Sequence, residues 1–318
     1  MAAPPTDQTV LITGGGGFIG SHLARALAPD NDVRVLDNFS TGSRSNLSAE
    51  VTIIEGDIRD AETCRQAISE TDVVFHLAAQ TSVEKSVSQP TRSHAINVAG
   101  TLRVLEAARQ ADARVVVASS AAIYGDPPSV PIDEEQQVDP QSPYGIEKLA
   151  ADQYARRYAD LYDLSSVVLR YFNVYGPPPG TDETPGVIDT FLRQARNGGP
   201  IIVHGDGAQT RDFVHIDDVV SVTAKAATAD VSGDAFNIGT GLPTAIRALA
   251  ERISTAVDGT PEITHTDARE GDIRHSRADI SMARDRLDFA PTRQVPDAVN
   301  ALLYEIDGED AIMSRPDP

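Results

Sequence analysis

Tyr144 and Lys148 stand four residues apart in the segment Ser142-Pro-Tyr-Gly-Ile-Glu-Lys148. Residues at that spacing share one face of a helix. Ser142 suits the N-cap of such a helix and Pro143 its first position. A free tyrosine titrates at about 10, too high for a base at neutral pH, but a neighbouring ammonium stabilises the phenolate and lowers that value. The expected chemistry is proton transfer by Tyr144 with Lys148 as its partner. Taken alone, the pair is also what an ordinary surface helix displays. Ser120, in Ser119-Ser-Ala-Ala-Ile-Tyr-Gly125, follows an apolar run. A hydroxyl at that place can hydrogen-bond the reacting oxygen of a substrate.

A second group of residues points to a nucleotide. Thr13-Gly-Gly-Gly-Gly-Phe-Ile-Gly20 fits Gly-x-Gly-x-x-Gly from Gly15 and Gly-x-x-Gly-x-x-Gly from Gly14. A short β run, Thr9-Val-Leu-Ile-Thr13, precedes it, and an amphipathic stretch from Phe18 to Leu27 follows. Between a strand and a helix, such glycines let the backbone approach a pyrophosphate, which faces the helix N-terminus. Asp37 ends the next β run, 20 residues after Gly17. An acid there accepts hydrogen bonds from the adenosine ribose and repels a 2′-phosphate. Asn38 follows it, not an arginine, so the expected cofactor is NAD.

These residues need elements to hold them. The apolar runs at 33–37, 51–55, 72–76, 114–118 and 167–171 alternate with helical patterns, including His94 to Ala111 and a long helix from Tyr144 to about Tyr162. Apolar strands alternating with helices predict a parallel sheet covered on both faces, with ligands at the carboxyl ends of the strands. The pattern breaks at Gly176-Pro-Pro-Pro-Gly180. A shorter helix follows near Val187 to Arg196. The helix beginning near Ile216 and the strand Ala235-Phe-Asn-Ile238 are expected to return to the first lobe. The predicted division is a nucleotide domain of residues 1–175 with 212–240 returning, and a smaller lobe of 176–211 and 241–318. The tail after Asp307 is expected to fray.

Composition narrows the class. The 318 residues are 41% hydrophobic, enough for a real core. No run reaches the roughly 18 apolar residues of a membrane span, and the first residues lack a basic and apolar leader, so a cytoplasmic protein is expected. A single cysteine, Cys64, forms neither an internal disulfide nor a metal-binding thiolate cluster. The net charge of −20 repels nucleic acid. Lysine occurs only at 85, 148 and 225, and every other cation is arginine. An acidic chain stripped of lysine is the pattern of halophilic proteins, whose carboxylates keep them hydrated.

With these motifs in hand, the chain resembles the extended short-chain dehydrogenases, and among them the NAD-dependent nucleotide-sugar epimerase and dehydratase family. The resemblance spans nearly the whole chain. It rests on the glycine turn, Leu36-Asp-Asn-Phe-Ser-Thr-Gly42, Glu55-Gly-Asp-Ile-Arg59, His76-Leu-Ala-Ala79, Asn97, the Tyr-x-x-x-Lys pair, Leu169-Arg-Tyr-Phe-Asn-Val-Tyr-Gly176 and Thr210-Arg-Asp-Phe-Val-His-Ile-Asp-Asp218. Arg269-Glu-Gly-Asp-Ile-Arg-His-Ser276 looks most like the UDP-sugar 4-epimerases. The resemblance implies a Rossmann-type doubly wound α/β fold with a smaller α/β substrate lobe. It implies a cofactor site of Gly14, Gly17, Phe18, Ile19, Gly20, Asp37, Asn38, Asp57, Ile58, Leu77, Ala78, Ala79, Asn97, Tyr144, Lys148 and Phe172. Ser120, Tyr144 and Lys148 would be catalytic. Asn173, Arg211 and Arg269 would meet the sugar diphosphate, and Asp272 the uridine ribose, since the planar arginine fork binds phosphate oxygens in pairs. It also implies a homodimer built on the 95–111 and 144–162 helices.

One departure is informative. Sugar dehydratases and the related decarboxylase carry carboxylates just after the catalytic hydroxyl, where this chain has Ala121 and Ala122. The expected activity is therefore a UDP-sugar 4-epimerase interconverting UDP-glucose and UDP-galactose. The alternatives are another nucleotide-sugar epimerase, dehydratase or reductase, such as a UDP-glucuronate 4-epimerase, or a silent NAD-binding regulatory protein. Four residues beyond Asp272, the family places a gate beside the sugar C2 substituent. Here it is the small Ser276, so the 2-acetamido pair is expected to enter as well. The charge makes its own prediction. Raising KCl from 0.1 M to 1 M shortens the Debye length from about 10 Å to about 3 Å, so the melting temperature should rise across that range. A flat or falling melting temperature would reject salt adaptation.

Overall fold

The computed structural model describes residues 2–178, 186–257, 259–269 and 271–295. The first half alternates as the sequence reading expects. It runs β1 (Thr9–Thr13), α1 (Phe18–Leu27), β2 (Asp32–Asp37), β3 (Thr52–Glu55), α2 (Ala61–Ile68), β4 (Val73–His76), α3 (Val83–Ser88), α4 (Pro90–His94), α5 (Thr101–Ala111), β5 (Arg114–Ser120), α6 (Pro143–Tyr162) and β6 (Ser166–Tyr171). The second half contains β7 (Asn173–Tyr175), α7 (Val187–Arg196), β8 (Ile201–His204), β9 (Thr210–His215), α8 (Ile216–Ala226), β10 (Asp234–Ile238), β11 (Pro243–Ala245), α9 (Ile246–Ala256), β12 (Ile263–Thr266) and α10 (Ser281–Leu287). The end of the predicted break at Gly180 and the tail after Asp307 lie outside the described residues. No helix among the described residues is long and apolar enough to cross a membrane.

Seven strands form one parallel sheet in the order β10-β6-β5-β4-β1-β2-β3. Both faces are covered, so β4 and β6 are buried throughout and read as continuous apolar runs. The order in which strands are added reverses between β1 and β4, and the crevice at that switch point is where such sheets bind ligands. The returning segments behave as the sequence suggests: β10 pairs with β6, and α8 packs beside α1. β9, by contrast, leaves the main sheet. It joins β7 and β11 in a three-stranded sheet, while β8 and β12 pair separately. A core of Phe191, Leu192, Ile201, Val203, Leu249 and Ile253 holds this second lobe.

The predicted helix from His94 to Ala111 is interrupted. Residues Ala95–Gly100 form a widened π turn between α4 and α5. Such turns cluster at functional sites, and this one carries Asn97. Behind it lies a buried polar chain. Thr13 and His76 are register partners at the carboxyl ends of β1 and β4. Thr13 Oγ1 meets His76 Nδ1 at 2.8 Å, and His76 Nε2 meets Thr101 Oγ1 at 2.9 Å. The Thr101 hydroxyl donates to the Asn97 carbonyl at 2.7 Å, so it must accept from His76 Nε2–H. His76 Nδ1 then accepts from Thr13, and the ring is neutral.

Burial, with the nearby Lys148 charge, pushes the His76 pKa from 6.5 down to about 3. Between those two values the unfolded chain binds a proton that the folded chain refuses. His76 therefore contributes stability above pH 6.5 that is lost as the pH falls toward 3. Full separation of the two states corresponds to about 1.4 kcal/mol per pH unit. His76→Asn should lower the melting temperature at neutral pH yet flatten its decline below pH 6.5. An equally steep decline in the variant would show that His76 does not drive it.

Candidate active site

The carboxyl ends of the main strands open into a cleft of about 700 Å³. One end is built by the glycine turn. Gly14 has φ +73°, and a Cβ there would come within 2.7 Å of the Ala78 backbone, so a side chain is excluded by both conformation and space. A Cβ on Gly20 would lie 2.3 Å from the Gly14 carbonyl oxygen, which lets α1 start tight against the turn. At its N-cap, Gly17, α1 has no side-chain cap, and its first turn holds no acid. Its unpaired N–H groups are left for an anion.

Asp37 stands beside this turn. One carboxylate oxygen accepts from Gly16 N–H at 2.9 Å and the other from Phe39 N–H at 2.8 Å. Each oxygen keeps lone-pair capacity for a ribose hydroxyl. Asn38 donates to Asp57 at 2.8 Å, and Arg59 grips the same carboxylate through two bonds of 2.9 and 2.7 Å. The Arg59 contacts hold the Asp57 carboxyl well below the usual carboxylate range. Ile58, Leu77, Ala78, Ala79 and Phe172 line the same cleft with Gly17, Phe18 and Ile19. The Ser40-Thr-Gly42 turn also lines the cleft. In the fold Gly42 packs onto Gly16, where a Cβ would lie 2.4 Å from the Gly16 carbonyl carbon, and this turn walls the cleft.

The other end of the cleft carries Ser120, Tyr144 and Lys148. Ser142 caps α6 by accepting from Gly145 N–H at 3.1 Å, and Pro143 occupies the first turn, as the sequence predicts. Lys148 is buried, and its Nζ donates to the Ala118 carbonyl at 2.9 Å. Ser120 Oγ accepts from Ala122 N–H at 3.2 Å, and the Ser120 side chain lies near enough to the Tyr144 phenol to act on its titration. The electrostatics differ from the expectation for an ammonium beside a phenol. Burial pushes the Tyr144 phenol up, the Ser120 side chain pulls it down, and the Glu147 charge adds to the rise. Burial lowers Lys148 to about 8 against an upward pull from Glu147. A dry site penalises both charged forms.

Asn173 lines this cleft and also a second cavity of about 790 Å³ shared with Arg211, Arg269 and Asp272. Arg211 donates to the Thr210 and Ile273 carbonyls, each at 2.8 Å, and pairs with Asp272. The two groups assigned by resemblance to different parts of one ligand here satisfy each other. His204, Gln209 and Thr266 also line this cavity, and no motif in the sequence reading singled them out.

Two predicted residues are placed elsewhere. Asn97 is 2% exposed and lines neither cavity. Its amide holds the Gln80 backbone instead, accepting from Gln80 N–H at 2.8 Å and donating to its carbonyl at 3.0 Å. Ser276 is also 2% exposed, lines neither cavity, and donates its N–H to the Thr210 carbonyl at 3.2 Å. The expectation that its small side chain opens the sugar site directly does not fit this placement.

A strand-glycine-helix cradle, an acid at the end of the second strand and a Ser-Tyr-Lys group on one cleft define an NAD-dependent enzyme of the short-chain dehydrogenase type. Residues 10–239 match the NAD dependent epimerase/dehydratase family, to which this chain belongs. The chain is 40% identical over 290 residues to the UDP-glucose 4-epimerase of Mycolicibacterium smegmatis, covering 88% of this chain and 93% of that one. It is similar to the UDP-N-acetylglucosamine 4-epimerase of Methanobrevibacter ruminantium solved with UDP-N-acetylmuramic acid, with a TM-score of 0.90, 34% identity, and 96% and 100% of the two chains covered. The UDP-glucose 4-epimerase of Thermotoga maritima solved with UDP-glucose matches with a TM-score of 0.90, 34% identity, and 95% and 99% covered. The protein is an NAD-dependent nucleotide-sugar epimerase.

Tyr144→Phe removes only the acidic hydroxyl. Turnover should fall by about 10²–10⁴-fold while nucleotide-sugar and NAD binding persist. Turnover within about twofold of the parent would exclude Tyr144 as the base.

Proposed function

We propose that this enzyme is a UDP-sugar 4-epimerase that interconverts UDP-glucose with UDP-galactose, and the corresponding 2-acetamido sugars. The carrying observation is that Ser120, Tyr144 and Lys148 share one end of a cleft that Asn173 joins to the cavity of Arg211, Arg269 and Asp272. Of the carboxylates lining that cleft among the described residues, Asp37 and Asp57 flank the glycine turn and Asp189 sits on α7. Ala121 and Ala122 follow Ser120, so the proton carrier that elimination or decarboxylation uses there is missing.

Bound NAD supplies a reversible hydride acceptor for the sugar C4. Tyr144, in its phenolate form, takes the C4 hydroxyl proton and later returns it. Ser120 Oγ accepts from Ala122 N–H, and its hydroxyl hydrogen would turn to the C4 oxygen. Lys148, lining the same cleft, would stabilise the phenolate. In the second cavity, the diphosphate takes Arg211 and Arg269 while the uridine ribose takes Asp272, replacing the Arg211–Asp272 pair. Holding UDP there lets the sugar turn its other face. The acetamido reading rests on the relative named for UDP-N-acetylglucosamine, because Ser276 does not line the site.

We also infer a cytoplasmic, salt-adapted homodimer. Ile146, Tyr154, Leu161 and Tyr162 expose an apolar face along α6, the face the resemblance assigns to a partner copy. Incubation with UDP-glucose, UDP-N-acetylglucosamine and UDP-glucuronate in turn tests the reaction. UDP-galactose and UDP-N-acetylgalactosamine should accumulate to a fixed ratio with their precursors, with UDP-glucuronate unchanged. Release of water or carbon dioxide, or epimerisation of UDP-glucuronate alone, would overturn the assignment.

A further inference from the structure

Glu147 immediately precedes Lys148 on α6, yet it is only 4% exposed. A carboxylate that deep requires donors. It has two, both on Oε2: the Ser93 hydroxyl at 2.6 Å and Asn97 Nδ2 at 2.7 Å. Ser93 belongs to α4 and Asn97 to the π turn. A carboxylate only accepts, so Asn97 must turn its NH₂ toward Glu147. That choice points Asn97 Oδ1 at Gln80 N–H. Asn97 Nδ2 also donates to the Gln80 carbonyl, so one side chain clamps both backbone groups of one residue.

Gln80 begins a loop that forms part of the reaction cleft. Gln80, Thr81, Ser82 and Lys85 all line it, and Gln80 Oε1 accepts from Ser82 N–H at 3.1 Å. The loop's far end is tied to α6 as well, since Tyr144 N–H donates to Ser86 Oγ at 3.1 Å. We infer that Glu147 is a positioning residue which, through Ser93 and Asn97, holds the Gln80–Ser82 loop against the cofactor and sets the loop's distance from Tyr144. The inference rests on the cleft being the epimerase active site.

Charge supports the geometry. The groups facing Tyr144 and Lys148 are Glu147 on their own helix, Ser120 at the end of β5, and the neutral His76 behind Lys148 on β4. Lys85 of α3 stands at the exposed rim. The Glu147 anion opposes loss of a proton from both Tyr144 and Lys148. Removing it should ease ionisation of the tyrosine.

Two variants separate the hydrogen bonds from the charge. Glu147→Gln keeps an acceptor oxygen for Ser93 and Asn97 but loses the charge; Glu147→Ala loses both. NAD affinity is read by calorimetry without substrate, and kcat and KM are read across pH. Glu147→Ala should weaken NAD binding and lower kcat by about tenfold each, the scale of one buried hydrogen-bonding group left unpaired. KM for UDP-glucose should stay within about twofold, because the second cavity is untouched. Glu147→Gln should bind NAD within about threefold of the parent, while the rising acid limb of kcat moves to lower pH by about half a unit. NAD affinity and kcat unchanged in a folded Glu147→Ala would overturn the inference. If Glu147→Ala does not fold, unchanged NAD affinity in Ser93→Ala together with an unmoved limb in Glu147→Gln overturns it equally. Absence of UDP-sugar turnover in the parent would instead overturn the proposed reaction, and the NAD titration would still read the role of Glu147.

Discussion

A buried line of hydrogen bonds joins the two halves of the site, and both halves depend on it for their spacing. It begins at Ala78 N–H, which donates to Thr13 Oγ1, and continues through His76 and Thr101 to the Asn97 carbonyl. The Asn97 side chain then meets Glu147, next to Lys148. The line crosses from β1 through β4 and the π turn to α6. Its members are polar groups inside an apolar core, where an unmet partner costs more than the bond itself contributes. Every link seen here is satisfied, so the line fixes distances rather than merely filling space. The glycine turn at one end and the Tyr-Lys pair at the other are thereby held on one crevice.

The electrostatics of the reactive end follow from dryness. Burial raises the Tyr144 phenol and lowers Lys148 to about 8, so each charged form is penalised. The Ser120 side chain opposes the rise of the Tyr144 phenol, and the Lys148 ammonium is held by the Ala118 carbonyl. The second cavity uses the opposite arrangement. Arg211 and Asp272 are already paired and partly open to solvent. One pocket suppresses charge until chemistry calls for it, while the other keeps charge ready for a charged ligand.

Much of this was legible in the residues. The strand-glycine-helix pattern, the capped start of α6 at Ser142-Pro143 and the apolar runs of the sheet are local signals, and the structure has each of them. The returning α8 and β10 were also legible, because an apolar strand after a helix extends a parallel sheet. Other features were not. The helical pattern around Asn97 gives no sign of the π turn, since the Glu147 carboxylate that binds Ser93 and Asn97 is distant in sequence. Ser276 sits at the motif position of a gate, yet its side chain is buried because its segment pairs with β9. Glu147 reads as a solvated helix acid until α4 is seen lying over it.

The sequence by itself determined the cofactor cradle, the reactive Tyr-Lys pair and the parallel architecture, because each depends on backbone conformation or helical spacing over a few residues. The tertiary structure alone decided which polar side chains face the cleft and which support it from behind. That division is set by which elements pack against each other across 50 or more residues, as in Asn97 with Glu147 and Thr13 with His76, and burial there turns an ordinary hydrogen bond into a constraint on geometry.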